Sequence, residues 1–437
     1  MITRRKFLRQ SATALATGLV VPSLLEESRI LSRTVNANDK LRVGLIGCRN
    51  MGWSNLSDFL IHPDVDCVAL CDIDKGILEN KAAELAKLRD GKALLFGDYR
   101  KMLEMKDLDA VIIGTPDHWH CLQMVDACSV GKDIYVEKPI ANSIAECDVM
   151  VAAAHKYKRV VQVGQQQRSG NHWHEMKKYI DTGKLGKIAK VEVWANFNYG
   201  ALSLPVGDSP VPDGIDFDMW LGPAPKRTFN KERFHGSWRM FWNYGGGLLT
   251  DWGVHLLDMA LWGMNVTGMP NRVFSSGGKF AYPQNCPETF DTMTVVYEYD
   301  DFLIQWSNVA GTETGPYDRN YGLAFKGTNG TLVANRESWE VIPEGNKAEV
   351  VKSLPNFQDH KDHVSNFLDC VKNRNYETAC TIDNGSLCAK YAHLGNISAR
   401  IGEALKYDDA KKSFNNKDAD KLIKPLYRTP WKFPDKI

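Results

Sequence analysis

No stretch of this 437-residue chain reaches the ~18 consecutive apolar residues that cross a bilayer as a helix, so a membrane span is excluded. A dominant charge is missing too. The 54 Lys+Arg stand against 53 Asp+Glu, and a net charge of +1 gives no general field for nucleic acid or acidic membrane. The ten cysteines contain no CxxC pair and no Cys/His ligand spacing, which argues against a zinc site or a disulfide frame. Cys67, Cys71 and Cys370 lie in apolar strings, where free thiols act as small hydrophobes. Repeats and low-complexity segments are absent. What remains is a globular composition, 43% hydrophobic and 24% charged, with length for two or three domains that each bury a core.

The first residues read as an address. Residues 3–9 are Thr-Arg-Arg-Lys-Phe-Leu-Arg, ahead of a mildly apolar stretch from about 12 to 25. Adjacent arginines before Phe-Leu match the twin-arginine export signal; a basic disordered arm is the plainer alternative. Val35-Asn36-Ala37 fits a small-residue cleavage pattern, which sets a signal at 1–37, a mature start near Asn38 and a periplasmic location. The first cysteine is Cys48, so no lipid-anchor cysteine is available there. The twin-arginine route carries folded proteins, commonly with a cofactor aboard.

Residues 41–47 form a β-rich apolar run ending in Gly47. Cys48, Arg49, Asn50, Met51 and Gly52 follow, then Trp53, Leu56, Phe59 and Leu60 at helical spacing. Strand, tight turn and helix are the context of a dinucleotide fingerprint of the Rossmann type. A second strand ends in Asp72, twenty residues after Gly52, where an acid accepts hydrogen bonds from the adenine-ribose hydroxyls and repels a 2′-phosphate. NAD is therefore expected over NADP. The middle glycine of G-x-G-x-x-G is replaced by Arg49. Three readings stand: a degenerate site, a turn in which the side chain points outward beside a left-handed Asn50, or a guanidinium paired with the pyrophosphate. The outer glycines and the helix N-terminus are kept, and the site reads as intact. Two further strands end at Gly114 and Val136. Their following loops, with Thr115, Pro116, His118 and His120, and with Glu137, Lys138 and Pro139, face the nicotinamide end. His118 and His120 on such a loop fit a nicotinamide-lining or structural role rather than a metal, and no metal is expected. His172, His174, His360 and His363 read as surface or packing residues.

The combination resembles the glucose–fructose oxidoreductase / inositol dehydrogenase / rhizopine-catabolism (Gfo/Idh/MocA) family. The matching pieces are the fingerprint at 47–52, Thr115-Pro116 with His118 and His120, and Glu137-Lys138-Pro139. Gly-Gln-Gln-Gln-Arg at 164–168 matches as well, and so does Gly-Gly-Gly-Leu-Leu-Thr-Asp-Trp-Gly-Val-His-Leu-Leu-Asp at 245–258. The likeness covers nearly the whole mature chain. It implies that Lys138 and His255 flank a reacting hydroxyl, with His255 as base and Asp251 binding sugar hydroxyls or orienting the imidazole. It also implies a cis Lys138–Pro139 bond and a homo-oligomer, dimer or tetramer. The chemistry agrees: taking hydride from a secondary alcohol requires a base for the hydroxyl proton and a cation for the forming alkoxide. Asp251 and His255, at i and i+4, share a helix face.

From about residue 190 the apolar period shortens to two, at 191–197 and near 290–299, 302–309, 320–326 and 330–335, which reads as an antiparallel sheet. Segments 360–373 and 380–405 read as helices. Expected, then, are a Rossmann α/β domain at 38–163, an α+β domain with a large open, mainly antiparallel sheet at 164–406, and a tail at 407–437. Between Trp220 and Trp252 lie eight aromatics where the chain average gives about three. Some are core; the others, beside Arg168, Trp238, Arg239, Tyr244, Asp251 and His255, suit a sugar's C–H faces and hydroxyls. Residues 203–225, with five prolines, read as a long loop able to lid the site. The expectation is an exported, NAD-dependent oxidoreductase that acts on a secondary hydroxyl of a sugar or glycoside, with C3 preferred, and keeps its cofactor tightly bound. The rivals are an NAD-dependent glycoside hydrolase working by transient oxidation, and a non-catalytic sugar-binding protein.

Overall fold

The computed structural model describes residues 40–89, 92–353 and 358–437. The twin-arginine string and its cleavage pattern lie outside these residues. Six parallel strands form the first sheet: β1 Leu41–Ile46, β2 Val65–Cys71, β3 Leu94–Phe96, β4 Ala110–Ile113, β5 Asp133–Val136 and β6 Val161–Val163. Their order is β3-β2-β1-β4-β5-β6, the doubly wound arrangement. Both β4 and β5 are buried along their whole length, as strands covered on two faces must be. Helices α1 Asn50–Phe59, α2 Lys75–Leu88, α3 Tyr99–Leu103, α4 Asp117–Ser129 and α5 Ile144–Tyr157 supply the cover. Their starts follow local chemistry. Asp74 accepts from the Ile77 N–H at 3.1 Å to open α2, and Ser143 accepts from the Glu146 N–H at 3.2 Å to open α5.

The carboxyl ends of these strands put Gly47, Asp72, Gly114, Glu137 and Gly164 along one edge. The chain then runs through α6 Asn171–Asp181 into an eight-stranded sheet. Its strands are β7 Ile188–Ala195, β8 Arg272–Gly278, β9 Thr292–Glu298, β10 Leu303–Val309, β11 Tyr321–Gly327, β12 Gly330–Ala334, β13 Trp339–Pro343 and β14 Val351–Lys352, ordered β14-β13-β12-β11-β7-β10-β9-β8. Every pair is antiparallel except β7 with β10. The short α7 Phe217–Leu221 lies in the crossing loop, and a wide π-helical turn at Leu249–Gly253 leads into α8 Val254–Gly263. Helices α9 Asp359–Asn373 and α10 Ile382–Ile401 complete the chain's larger elements. The core of the second sheet joins Val193, Leu256, Val295, Trp306, Phe325 and Tyr391. Phe367 and Leu368 of α9 pack instead with Leu41, Phe59 and Tyr135 of the first layer. All ten cysteines are free, and all but Cys286 are buried.

The C-terminal residues lie along the chain's own first layer. Tyr427 donates to Glu146 at 2.5 Å, and the Trp431 ring sits 4.8 Å from Trp119. Among the described residues no helix is long and apolar enough to cross a membrane.

Candidate active site

Three glycines carry the close approach of β1, α1 and β4. Gly47 has φ +86°, and a Cβ there would lie 2.8 Å from the Gly114 backbone. At Gly52 a Cβ would lie 2.0 Å from the Gly47 carbonyl oxygen, and at Gly114 2.6 Å from the Gly52 Cα. This packing leaves the start of α1 bare: Arg49 at the cap position makes no side-chain cap, and no acid occupies the first turn. The free N–H groups of a helix start attract anions. Arg49, Asn50 and Met51 border a cavity of about 330 Å³, which Asp72 also lines. Asp72 accepts from the Cys48 N–H at 2.7 Å and the Asp74 N–H at 3.0 Å. A carboxylate has roughly four acceptor sites, so these backbone bonds leave capacity for a hydroxyl. Burial pushes the Asp72 carboxyl above its ordinary range.

The crossing loop closes the outer side of this cavity. Gly214 accepts from the Lys75 N–H at 2.9 Å, Asp216 N–H donates to Ile73 at 2.9 Å, and His235 meets Asp74 at 3.0 Å. Met219, Trp220, His235 and Trp238 thereby face the cavity. Burial brings the His235 imidazole down to about 4, so it is neutral near pH 7.

Past Thr115, Pro116 and Asp117 the cavity meets a second one of about 840 Å³, and Met51, Glu137, Lys138, Tyr199 and Arg239 border both. At this junction the Lys138 Nζ donates to Asp251 Oδ1 at 2.6 Å and to its carbonyl oxygen at 2.8 Å. Arg239 Nε donates to the same Oδ1 at 3.1 Å and stacks 4.2 Å over the Trp238 ring. Burial alone would raise the Asp251 carboxyl, but Lys138 and Arg239 hold it below the usual range. His255 borders the second cavity beside Trp252, with its Nδ1 buried and unpartnered. Burial first, then the charges of Lys138 and Arg336, hold this imidazole well below its ordinary value. The junction thus sets a paired ammonium beside a neutral imidazole, a cation for an alkoxide and an acceptor for its proton.

Comparison with known proteins places the chain. A model of the oxidoreductase family's NAD-binding Rossmann fold matches residues 41–165, and a model of its C-terminal alpha/beta domain matches residues 169–433. The chain belongs to the Gfo/Idh/MocA oxidoreductase family. The uncharacterized oxidoreductase YrbE of Bacillus subtilis is 21% identical over 381 residues, 84% of this chain and 97% of that protein. A glycosyl hydrolase family 109 protein of Shewanella sp. (strain W3-18-1) is 26% identical over 265 residues, 55% of this chain but only 51% of that protein. The WlbA dehydrogenase of Bordetella pertussis, crystallised with NADH and UDP-GlcNAcA, superposes with a TM-score of 0.63 at 19% identity, over 84% of this chain and 99% of that one. The first layer is an NAD-binding Rossmann domain. Its residues fit the cofactor: the uncapped helix start and Arg49 suit a pyrophosphate, and Asp72 with acceptor sites to spare suits a ribose.

Within this Gfo/Idh/MocA frame, the structure brings Gly47, Arg49, Asn50, Met51, Asp72, Thr115, Pro116, Glu137 and Lys138 onto the first cavity. Arg239, Asp251 and His255 border the second. Lys138–Pro139 is cis. Other expected site residues lie elsewhere. Gly52 does not line the cavity; it is the spacer on which the Gly47 turn rests. His118 and His120 sit not on a loop but in the first turn of α4, because Pro116 starts that helix. Both are buried and point at backbone: His118 Nε2 meets the Trp220 oxygen at 3.0 Å, and His120 bridges the Thr115 and Pro139 oxygens at 2.8 Å each. Arg168 is consumed by Asp258, Nε to Oδ2 at 2.8 Å and Nη2 to Oδ1 at 2.7 Å. Tyr244 is fully buried in an aromatic cluster, 4.8 Å from Trp220. Asp251 serves Lys138 and Arg239 rather than orienting the imidazole. Site residues that the sequence pattern did not mark are Asp117, Tyr199, His235 and Arg336. Asp117 stands one residue after Thr115-Pro116, so its place in that string was a usable signal. Among the described residues no group of acids, histidines and cysteines is arranged to hold a metal.

Proposed function

We propose that this protein is an exported oxidoreductase that moves hydride between NAD and a secondary hydroxyl of a sugar or glycoside, with C3 the preferred position, and that it retains its cofactor. The observation that carries the reading is the junction itself, where Lys138 borders both cavities and pairs with Asp251, which lines the larger cavity together with His255. NAD, when bound, supplies the hydride acceptor. The chain's residues do the rest. Asp251, fixed by two cations through Oδ1, keeps Oδ2 for a substrate hydroxyl and holds the Lys138 ammonium against the reacting oxygen. His255, neutral at physiological pH, takes the hydroxyl proton as the C–H bond breaks. Trp252 and Tyr199 offer ring faces to a sugar. The crossing loop that shuts over Asp72 favours cofactor retention, which suits a protein working where free NAD is scarce. Export rests on the twin-arginine string at 3–9, and cell fractionation of Arg4→Lys/Arg5→Lys tests it. An assembly of two or four copies belongs to the same reading, and its mass in solution tests that.

The glycosyl hydrolase family 109 relative favours a second reading, hydrolysis by transient oxidation on retained NAD. Lys138 in Glu-Lys-Pro favours the oxidoreductase. One experiment separates them. The protein, purified without added NAD, is given sugars and nitrophenyl glycosides while reduced-nicotinamide absorbance and nitrophenol release are followed together. A lasting rise in absorbance supports the oxidoreductase; nitrophenol without a lasting rise supports the hydrolase. A protein that neither carries nor takes up NAD overturns both and leaves a sugar-binding module.

A further inference from the structure

Among the charged groups around the second cavity, Arg336 stands apart. Lys138 and Arg239 are both paired to Asp251. Glu137 accepts from the Asn55 side chain at 2.8 Å and from the Lys138 N–H at 3.2 Å, and Glu313 lies exposed at the rim. Arg336, from the turn between β12 and β13, stacks 4.4 Å over Trp252 and donates Nε to Gln167 Oε1 at 3.2 Å. No ion pair holds its guanidinium among the described residues; the carboxylates of Asp251 and Asp359 are its charged neighbours, and Arg336 lines the same cavity as His255. Partial burial lowers its pKa from the ordinary value. A half-buried guanidinium with one side-chain hydrogen bond keeps donors for a ligand to complete. Its planar fork, held flat on an indole, matches the two oxygens of a carboxylate.

We propose that Arg336 is a specificity residue that binds the carboxylate of an acidic sugar, so that the substrate class is a uronic or aldonic acid or its glycoside. The proposal rests on the sugar-oxidoreductase reading above and narrows it. The acid group lies against Trp252 and Arg336, and the reacting hydroxyl lies at Lys138 and His255. A bound carboxylate also offsets the Arg336 charge, one of those that disfavour a proton on His255.

Calorimetric titration of the NAD-loaded protein tests this, with D-glucuronate and D-galacturonate against D-glucose, D-galactose and glucose 6-sulfate. Nicotinamide reduction is followed in parallel. The acids should bind at least about 10-fold more tightly than their neutral parents, as charge-assisted bidentate contacts do. That preference should vanish in Arg336→Gln and be only partly kept in Arg336→Lys, with NAD affinity unchanged in both as the check on folding. Neutral sugars binding as well as acids, an acid preference that survives in Arg336→Gln, or glucose 6-sulfate binding as well as the uronates would each overturn the assignment. Failure of the proposal and failure of the wider reading are distinguishable. Neutral sugars that are bound and oxidised refute Arg336 alone. Acids that bind through Arg336 without reducing nicotinamide refute the oxidoreductase and leave the acid site standing.

Discussion

Lys138 and His255 are two basic side chains bordering one cavity, and the proposed mechanism gives them different roles. Lys138 is fixed by Asp251 at 2.6 Å and is placed to steady negative charge on oxygen. Burial and that same cation hold the His255 imidazole well below its ordinary value, and in the proposed mechanism it accepts the proton. Replacing Lys138 by Met should lower kcat by about 10²–10³-fold with NAD affinity unchanged, because the lost interaction grows only as the alkoxide forms. Steady-state kinetics beside an NAD titration check this. His255→Ala should cost about 10²-fold in kcat. Asp72 acts at the other end of the cavity. Asp72→Ser should narrow the preference for NAD over NADP by about 10-fold, since it removes both a ribose acceptor and a charge that repels phosphate. Competitive titration of the two nucleotides reads that directly.

At the scale of elements, the site depends on how closely α1 approaches β1 and β4. A methyl at position 52 would stand 2.0 Å from the Gly47 oxygen, which only a backbone shift relieves. Gly52→Ala should cost about 3 kcal/mol of stability and weaken NAD binding, read by thermal melting with and without cofactor. These elements were legible from sequence because each rests on local pattern: a glycine at a turn, an acid at a strand end, a period of two or of 3.6. Helix starts were legible to within a few residues, and that margin mattered at Pro116. Proline suits a helix start, so α4 begins just behind it and turns His118 and His120 toward backbone instead of the cofactor. Arg168 misled for a different reason. Its partner Asp258 lies ninety residues away, and only the fold of α8 against 166–169 brings them together. Arg336 was out of reach for the same reason: nothing near a hairpin turn in the second sheet announces that β12 and β13 aim it beside His255.

At the scale of the whole molecule, burial lowers the buried imidazoles, among them His118, His120, His363 and His393. His393 is fully buried, meets the Ala141 oxygen at 3.0 Å, and is held down to about 4. The unfolded chain takes a proton on this ring from about pH 6.5 downward, whereas the native ring takes none until about 4. The unfolded state therefore binds more protons in that window, and the ring's share of stability is lost as pH falls, at about 1.4 kcal/mol per pH unit. Buried Glu146, pushed up to about 7, works in the opposite direction, keeping a native proton that the unfolded chain releases above its ordinary 4.5. Comparing a variant with the native chain cancels such terms. His393→Gln should lose less stability than the native protein between pH 6.5 and 4.5, checked by parallel denaturation curves; parallel slopes would show that the ring titrates alike in the native and unfolded chains.

The hydride itself gives the most direct measurement. Sugars deuterated at every carbon, uronates among them, are given to the NAD-loaded protein, and the cofactor released on denaturation is weighed by mass spectrometry. Reduced nicotinamide heavier by one deuterium is expected from the native chain, with little or none from Lys138→Met. Cofactor that stays oxidised and unlabelled while the sugars bind would contradict hydride transfer at this junction.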